Sequence, residues 1–91
     1  MDKARYVDGN ALAGVLHDVF GREMTHECGC CSQCGAANQL GAVRVYRAAG
    51  DVLRCPNCGS VLMVIVPHAA GMRVSFGSIL WLRISASPET E

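Results

Sequence analysis

Two short cysteine motifs constrain the fold of this chain more than any other feature of its sequence. They are Cys31-Ser32-Gln33-Cys34-Gly35 and Cys55-Pro56-Asn57-Cys58-Gly59, and 20 residues separate them. Two thiolates with two residues between them can face one metal ion from a single tight turn. Two such turns complete the tetrahedral four-sulfur site that zinc prefers. The sequence therefore predicts a structural zinc site with the ligands Cys31, Cys34, Cys55 and Cys58.

The residues around each motif suit such a turn, which we call a knuckle. A glycine, Gly35 or Gly59, follows the second cysteine, where a knuckle commonly needs a positive φ that glycine adopts without a steric penalty. The turn would leave backbone N–H groups free to point at the sulfur atoms and to stabilise their negative charge. Pro56 presets φ at the start of the second knuckle. The motif and its surroundings thus favour the same interpretation.

Two further cysteines, Cys28 and Cys30, raise the question of which two cysteines form the first knuckle, which we call its register. Cys28 and Cys31 also form a Cys-x-x-Cys pair, but only Cys34 is followed by glycine, as Cys58 is. This match favours the register that excludes Cys28. We interpret Cys28 and Cys30 as incidental thiols near the site. The alternative is that they respond to oxidation by exchanging with ligand cysteines.

A site with four cysteine ligands argues against catalysis. Structural zinc sites are closed, whereas catalytic zinc keeps one position open for water. The three histidines, His17, His26 and His68, are not needed as ligands once four thiolates are present. No nucleophile and base can be paired from the sequence without removing a metal ligand. We therefore expect a protein that is not an enzyme.

Length and composition favour one small domain that a metal stabilises. A chain of 91 residues buries a limited core, and domains of this size commonly need a metal or disulfides. The first eight residues lack the apolar segment of a signal peptide. The longest apolar run, 61–66, is too short to cross a bilayer. We expect a cytoplasmic protein with no membrane association, whose cysteines bind metal rather than form disulfides.

The placement of charge disfavours a nucleic-acid partner without excluding it. The formal net charge is zero, but residues 40–83 contain five arginines and one aspartate, a net charge of +4. Four thiolates around a divalent ion contribute −2, which leaves this segment with about +2. Nucleic-acid binding domains usually carry a much stronger positive charge.

The pattern along the chain predicts a small α+β fold, in which one amphipathic helix precedes a zinc ribbon of antiparallel strands. The helix is expected at about residues 10–20, with Asn10 as its N-cap and Gly21 as its stop. Its apolar stripe should pack on the ribbon; the alternative is a helix that docks a partner. The stripe consists of Leu12, Val15, Leu16 and Val19. We divide the chain into a helical segment (1–22), a zinc-ribbon domain (23–84) and a disordered tail (85–91).

Alternation and turn residues predict the ribbon strands, and 22–30 should be a connector or a short strand. Strands are expected at 42–46, 52–54, 61–66, 72–76 and 79–84, with turns at 48–51 and 68–71. The run 61–66 is apolar at every position, which predicts a central strand covered on both faces and ended by Pro67.

Four segments carry a resemblance to a known family. They are Tyr6-Val7-Asp8-Gly9-Asn10-Ala11-Leu12-Ala13-Gly14, the first knuckle, Val43-Arg44-Val45-Tyr46 and Arg54-Cys55-Pro56-Asn57-Cys58. Over roughly residues 5–84 the chain resembles a family of short actinobacterial zinc-ribbon proteins of unknown function. The resemblance implies a stand-alone metal-binding protein and supplies no activity. Cys28 and Cys30 are not part of the family's pattern.

Three functions from different classes are compatible with these features. The first is a small protein-interaction module, in which apolar residues of 61–84 bind a protein partner or a second copy. Trp81 would anchor that interface unless the N-terminal helix covers it. The second is a nucleic-acid-associated regulator whose arginines contact phosphates. Those arginines are Arg44, Arg47, Arg54 and Arg73.

The third function is electron transfer through bound iron. The two knuckles also resemble the rubredoxin site, in which four thiolates hold a redox-active iron, and a tetrahedral four-sulfur site accepts either metal. Rubredoxins are acidic, rich in aromatic residues and have a longer separation between knuckles. This chain is neutral and has five aromatic residues. The comparison favours zinc over iron.

Overall fold

Two antiparallel β-sheets frame the molecule in the computed structural model, which describes residues 6–85. The strands are β1 (Tyr6–Asp8), β2 (Cys28–Cys31), β3 (Ala37–Gln39), β4 (Arg44–Arg47), β5 (Asp51–Arg54), β6 (Val61–His68), β7 (Gly71–Phe76) and β8 (Ile79–Arg83). The first sheet has the strand order β1-β4-β5-β6-β7, and the second has the order β3-β2-β8. One α-helix, α1 (Ala13–Phe20), lies within the described residues, together with short 3-10 turns at Gly9–Leu12 and Leu40–Ala42. The small α+β architecture agrees with the prediction.

Each knuckle is the turn of a β-hairpin. The first knuckle joins β2 to β3, and the second joins β5 to β6. The hairpins belong to different sheets, so the two cysteine motifs meet where the sheets approach each other. The predicted strands at 42–46, 52–54, 72–76 and 79–84 are present with shifts of up to two residues at their ends. The three-residue strands β1 and β3 were not predicted.

Helix α1 and the 3-10 turn before it pack through the predicted apolar stripe. Leu12 and Leu16 are fully buried, and Val15 and Val19 pack against the same core. The helix ends at Gly21, whose φ is +74° and whose N–H donates to the carbonyl of His17 at 2.7 Å. These observations confirm the expected packing and the expected stop.

The predicted start of the helix was wrong. Asn10 does not cap it, because a 3-10 turn occupies Gly9–Leu12 and α1 begins at Ala13. The Asn10 side chain lies instead against Gly41, where an added Cβ would come within 2.5 Å of Asn10 Oδ1.

Strand β6 is internal to its sheet, but only one of its faces is fully covered. Met63 and Ile65 are fully buried and face the core, whereas Val64 and Val66 on the opposite face are only half-buried. The prediction of cover on both faces was therefore wrong. Pro67 also does not end the strand, since it pairs with Met72 and β6 continues to His68.

The N-terminal part of the described chain forms a strand of the first sheet. Strand β1 pairs with β4, with Tyr6 opposite Tyr46. Gly9 then passes so close to the backbone of Leu40 that an added Cβ would lie 1.6 Å from the Leu40 carbonyl oxygen. The backbone between β1 and α1 thus contacts the backbone of Leu40 closely, and only glycine permits this contact at position 9.

The division of the chain into a helical segment, a ribbon domain and a tail stays a prediction. Residues 1–5 and 86–91, which include nearly all of the predicted disordered tail, lie outside the described residues. Ser85, the first residue of that tail, donates from its backbone N–H and its hydroxyl to Glu27 Oε1, at 3.1 and 3.0 Å. Between residues 6 and 85, no helix is long and apolar enough to cross a membrane.

Candidate metal centre

The structure brings the four predicted ligand residues together. The sulfur atoms of Cys31, Cys34, Cys55 and Cys58 all lie within 4.8 Å of one another. Two of the distances cross between the knuckles: Cys31 Sγ lies 3.6 Å from Cys58 Sγ, and Cys34 Sγ lies 3.7 Å from Cys55 Sγ. Each first cysteine therefore faces the second cysteine of the other motif.

These separations fit a tetrahedral metal site. Zinc binds thiolate sulfur at about 2.3 Å, which makes each edge of a regular tetrahedron of sulfur atoms about 3.8 Å long. A disulfide would need a sulfur–sulfur distance of about 2.05 Å, and all six cysteines of the chain are free. The chemistry and the spacing of the four donors are thus those of a site that could hold one metal ion.

The two knuckles have the same backbone geometry. The N–H of Gly35 donates to the carbonyl of Cys31, and the N–H of Gly59 donates to the carbonyl of Cys55, both at 2.9 Å. The two glycines have φ values of +79° and +83°. The sequence-based expectation that each knuckle needs a glycine at positive φ is confirmed.

Backbone N–H groups point at the first sulfur of each knuckle. Gln33 N lies 3.4 Å from Cys31 Sγ, and Asn57 N lies 3.4 Å from Cys55 Sγ. The two residues of each pair are only two positions apart in the sequence, so the turn itself creates the contact. These donors stabilise thiolate charge and hold the sulfur atoms in place, as the sequence also predicted.

The site is half enclosed. Cys31 and Cys55, the first cysteine of each knuckle, are buried, and Cys34 and Cys58 are exposed. The buried pair belongs to the core that also contains Leu40 and Leu62. A metal ion at this site would therefore connect the core to the tips of both hairpins.

Neighbouring groups act in opposite directions on the two exposed thiols. The hydroxyl and then the backbone of Ser60 lower the pKa of Cys58 to about 6. The backbone of Ala36 favours the Cys34 thiolate, but loss of hydration and the nearby sulfur atoms of the cage outweigh it and raise the pKa of Cys34 to about 12. Four thiolates this close repel one another, and a bound cation offsets that repulsion.

Contacts outside the sulfur atoms also position the knuckles. Asn38 Nδ2 donates to Asn57 Oδ1 at 2.9 Å, which links the two hairpins. The guanidinium of Arg54 donates to the carbonyl of Gly59 at 2.8 Å. The N–H of Ser32 donates to the carbonyl of Ser78 at 3.0 Å, in the connection between β7 and β8.

Cys28 and Cys30 lie outside the cluster. Cys28 is half-buried on β2, opposite Gln39 and Arg83 of the neighbouring strands. Cys30 is buried beside the first knuckle, and its thiol donates to the carbonyl of Gly35 at 3.5 Å. The structure thus groups Cys31 with Cys34 rather than with Cys28. The packing role of Cys30 was not predicted, since its spacing alone carries no signal of burial.

Histidine takes no part in this cluster. His17, His26 and His68 are all exposed. Among the acidic, histidine and cysteine side chains of residues 6–85, these four cysteines form the group whose ligand atoms lie close enough together to hold a metal ion.

The sequence matches one protein family over residues 2–87. The chain belongs to DUF6510, a family of unknown function. This membership agrees with the uncharacterised family expected from the four resembling segments, and it supplies no activity. No curated protein matches the chain significantly. No solved structure does so either.

Proposed function

We propose that this DUF6510 protein is a non-enzymatic zinc-binding protein of the zinc-ribbon type that acts as a small protein-interaction module. One observation carries the proposal: two equivalent knuckles bring four thiol sulfurs to tetrahedral spacing, with cross-knuckle distances of 3.6 and 3.7 Å. Zinc would hold the hairpins β2–β3 and β5–β6 together. The rest of the folded domain would then present a surface to its partner.

The choice of zinc over iron depends on composition as well as geometry. A four-sulfur tetrahedral site accepts both metals. The neutral charge and the five aromatic residues of this chain distinguish it from the acidic, aromatic-rich rubredoxins. A ferric thiolate site absorbs visible light, whereas a zinc site is colourless, so the absorption spectrum separates the two.

The donor set supports a structural role for the metal. Four protein ligands complete a tetrahedral shell, which leaves no open position for water or substrate. The free state of all six cysteines supports a reducing compartment, and we place the protein in the cytoplasm on that basis.

The proposed contact surface is the open edge of β8 and the apolar residues near it. Strand β8 is the last strand of the order β3-β2-β8, so its outer edge has no strand partner among the described residues. Four large apolar side chains nearby are exposed: Phe76, Leu80, Trp81 and Ile84. Trp81 is 44% exposed, which supports a role for its side chain in this surface. An apolar open edge favours pairing with a strand of another chain, from a second copy or from another protein.

Association of the zinc-loaded protein tests this surface. Sedimentation velocity over a range of concentrations should show reversible self-association, or capture from the native host should recover a defined partner. The emission of Trp81 should shift to shorter wavelength as the complex forms. The double substitution Leu80→Ser and Ile84→Ser should abolish association. Val7→Ser removes from β1 an apolar residue about as exposed as Ile84 and is the control. A wild-type protein that stays monomeric and retains no partner would contradict the proposal.

A further inference from the structure

A second surface lies on the first sheet, on the side away from the core. The strands β1, β4 and β5 place two tyrosines and two arginines next to one another there. Tyr6 is opposite Tyr46, and Arg44 is opposite Arg54 in the strand register. We call these four residues the Tyr–Arg face.

Aromatic rings and positive charges alternate across this face. The rings of Tyr6 and Tyr46 have centroids 5.5 Å apart and are tilted by 50°. The guanidinium of Arg44 lies 5.0 Å from the centroid of Tyr6, and that of Arg54 lies 5.6 Å from the centroid of Tyr46. Each ring therefore has a positive charge over it.

The Tyr–Arg face is the solvent side of the sheet. Directly paired residues share a face, and successive residues alternate between faces. Val45 and Leu53, which are paired and fully buried, therefore define the core side. The four residues of the Tyr–Arg face are half-buried or exposed. Tyr6 is 40% exposed.

The same side carries further positive charge. The pairing of β4 with β5 and of β5 with β6 places Val66 on the same face as Tyr46. Arg73 on β7 is paired with Val66 and therefore lies on this face as well. Asp8 is also on this side, opposite Arg44, although the two form no ion pair. The strand positions of this side thus carry three arginines and one aspartate.

Arg47 does not belong to this surface. It lies on the core side of β4, where it pairs with Asp51 at 3.6 Å and donates to the carbonyl of Ala11 at 3.3 Å. The four arginines that the sequence grouped as phosphate contacts are therefore divided between two faces. Arg44, Arg54 and Arg73 share one side of the sheet.

A shallow depression adjoins the face beside the second knuckle. Tyr46, Val52 and Arg54 line it, together with Ala48 and Gly59. One tyrosine ring, one guanidinium and one aliphatic side chain thus surround an open recess. The carbonyl of Gly59 holds the Arg54 guanidinium at its edge.

We propose that the Tyr–Arg face binds single-stranded nucleic acid. Unpaired bases stack on aromatic side chains and on guanidinium planes, while arginines neutralise the phosphates between them. The two tyrosines and three arginines on this side of the sheet meet both requirements, and Asp8 is the one carboxylate at its strand positions. Duplexes keep their bases stacked inside, so the rings would contribute little to duplex binding. Because the formal net charge of the chain is zero, we expect weak binding, with a dissociation constant of about 1–100 μM at low salt.

This proposal does not depend on the proposed function, because it uses a different face of the molecule. The test measures fluorescence anisotropy of a labelled twelve-nucleotide dT or rU strand with the full zinc-loaded chain. Binding is expected at 50 mM salt and should be weaker for a duplex of the same length. The logarithm of affinity should fall with the logarithm of salt concentration with a slope of about −1.4 to −2.1, corresponding to two or three phosphate contacts. Sedimentation of the same samples reports self-association separately.

Substitutions then locate the site. Tyr46→Ala should weaken binding about tenfold or more, whereas Tyr46→Phe keeps the ring and should retain affinity. Arg54→Gln should weaken binding and make the salt slope shallower. Arg47→Gln is the matched control, since it removes the same charge from the opposite face. Asp8→Asn should strengthen binding, because it removes the carboxylate from the face.

Three results of the binding assay would overturn the proposal. They are no binding at 50 mM salt, duplex binding as tight as single-strand binding, and an Arg47→Gln variant that loses as much affinity as Arg54→Gln. Circular dichroism and zinc content establish that each variant is folded, so that lost affinity reports the surface. A protein ligand captured by this face in place of nucleic acid would also contradict it.

Discussion

Asn38 and Asn57 form a hydrogen bond of 2.9 Å between the two knuckle hairpins, beside the four sulfur atoms. The bond is exposed, and a hydrogen bond of this kind contributes only about 0.5–1.5 kcal/mol. Structural zinc in small domains contributes about 10–16 kcal/mol of apparent binding free energy. We therefore expect a bound metal, rather than this hydrogen bond, to hold the two hairpins together.

Removal of the metal by a chelator should thus destabilise the fold far more than loss of the Asn38 hydrogen bond. Asn38→Ala should lower the melting temperature by no more than about 4–8 °C, since the loss of this hydrogen bond is worth about 1 kcal/mol. A strong chelator should unfold the knuckle region, residues 31–60, at room temperature. Circular dichroism with and without chelator measures both effects. A chelated protein that melts as the untreated protein does would contradict this expectation.

Substitutions of single cysteines should separate ligands from neighbours. Serine at any of the four clustered positions should abolish stable metal binding, because three thiolates leave the shell incomplete. The clustered positions are Cys31, Cys34, Cys55 and Cys58. Cys28→Ser and Cys30→Ser should retain the metal. Metal content after dialysis is the measurement, and a Cys28→Ser variant that loses the metal while Cys34→Ser keeps it would show that the register is wrong.

The close contact at Gly9 predicts a sharp sensitivity to a single methyl group. Gly9→Ala places a Cβ 1.6 Å from the Leu40 carbonyl oxygen, so the backbone must move. We expect a cost of about 3 kcal/mol and a melting temperature lower by about 10 °C or more. Gly14→Ala is the control: no atom lies within 4 Å of the added Cβ, and alanine favours the helix. Equal melting temperatures for the two variants would rule out the contact.

The knuckles could be predicted from sequence because their chemistry is local. Two cysteines, two intervening residues and a following glycine define the turn within five positions, and Gly35 and Gly59 have the expected positive φ. The end of α1 at Gly21 is local in the same sense. Local geometry of this kind is encoded by adjacent residues, so a sequence pattern captures it.

Features that depend on distant pairing could not be predicted. Strand β1 has three residues and exists because Tyr6 meets Tyr46 across 40 positions of sequence. The 3-10 turn that displaces Asn10 from the helix cap is set by the approach of Gly9 to Leu40. One face of β6 stays open because α1 covers only the other side of the sheet. The composition of 61–66 is the same whether one face or two are covered, so it could not predict this difference. The Tyr–Arg face likewise emerges only from the register of three strands.

The buried stripe of α1 should be intolerant of charge. Leu16 is fully buried, so Leu16→Asp places a carboxylate in an apolar core and should cost about 3 kcal/mol or more. Gly14→Asp introduces the same charge at an exposed position of the same helix and should have little effect. Thermal melts of both variants provide the comparison. A Leu16→Asp protein as stable as the wild type would mean that α1 is not part of the core.

The metal content of the purified protein tests the central claim most directly. Elemental analysis of protein prepared without added metal, combined with native mass spectrometry, gives the identity and the number of bound ions. We predict one zinc ion per chain and a colourless solution, with the metal held by the four clustered cysteines. Folded protein without any metal, or with iron and a visible absorption band, would contradict it.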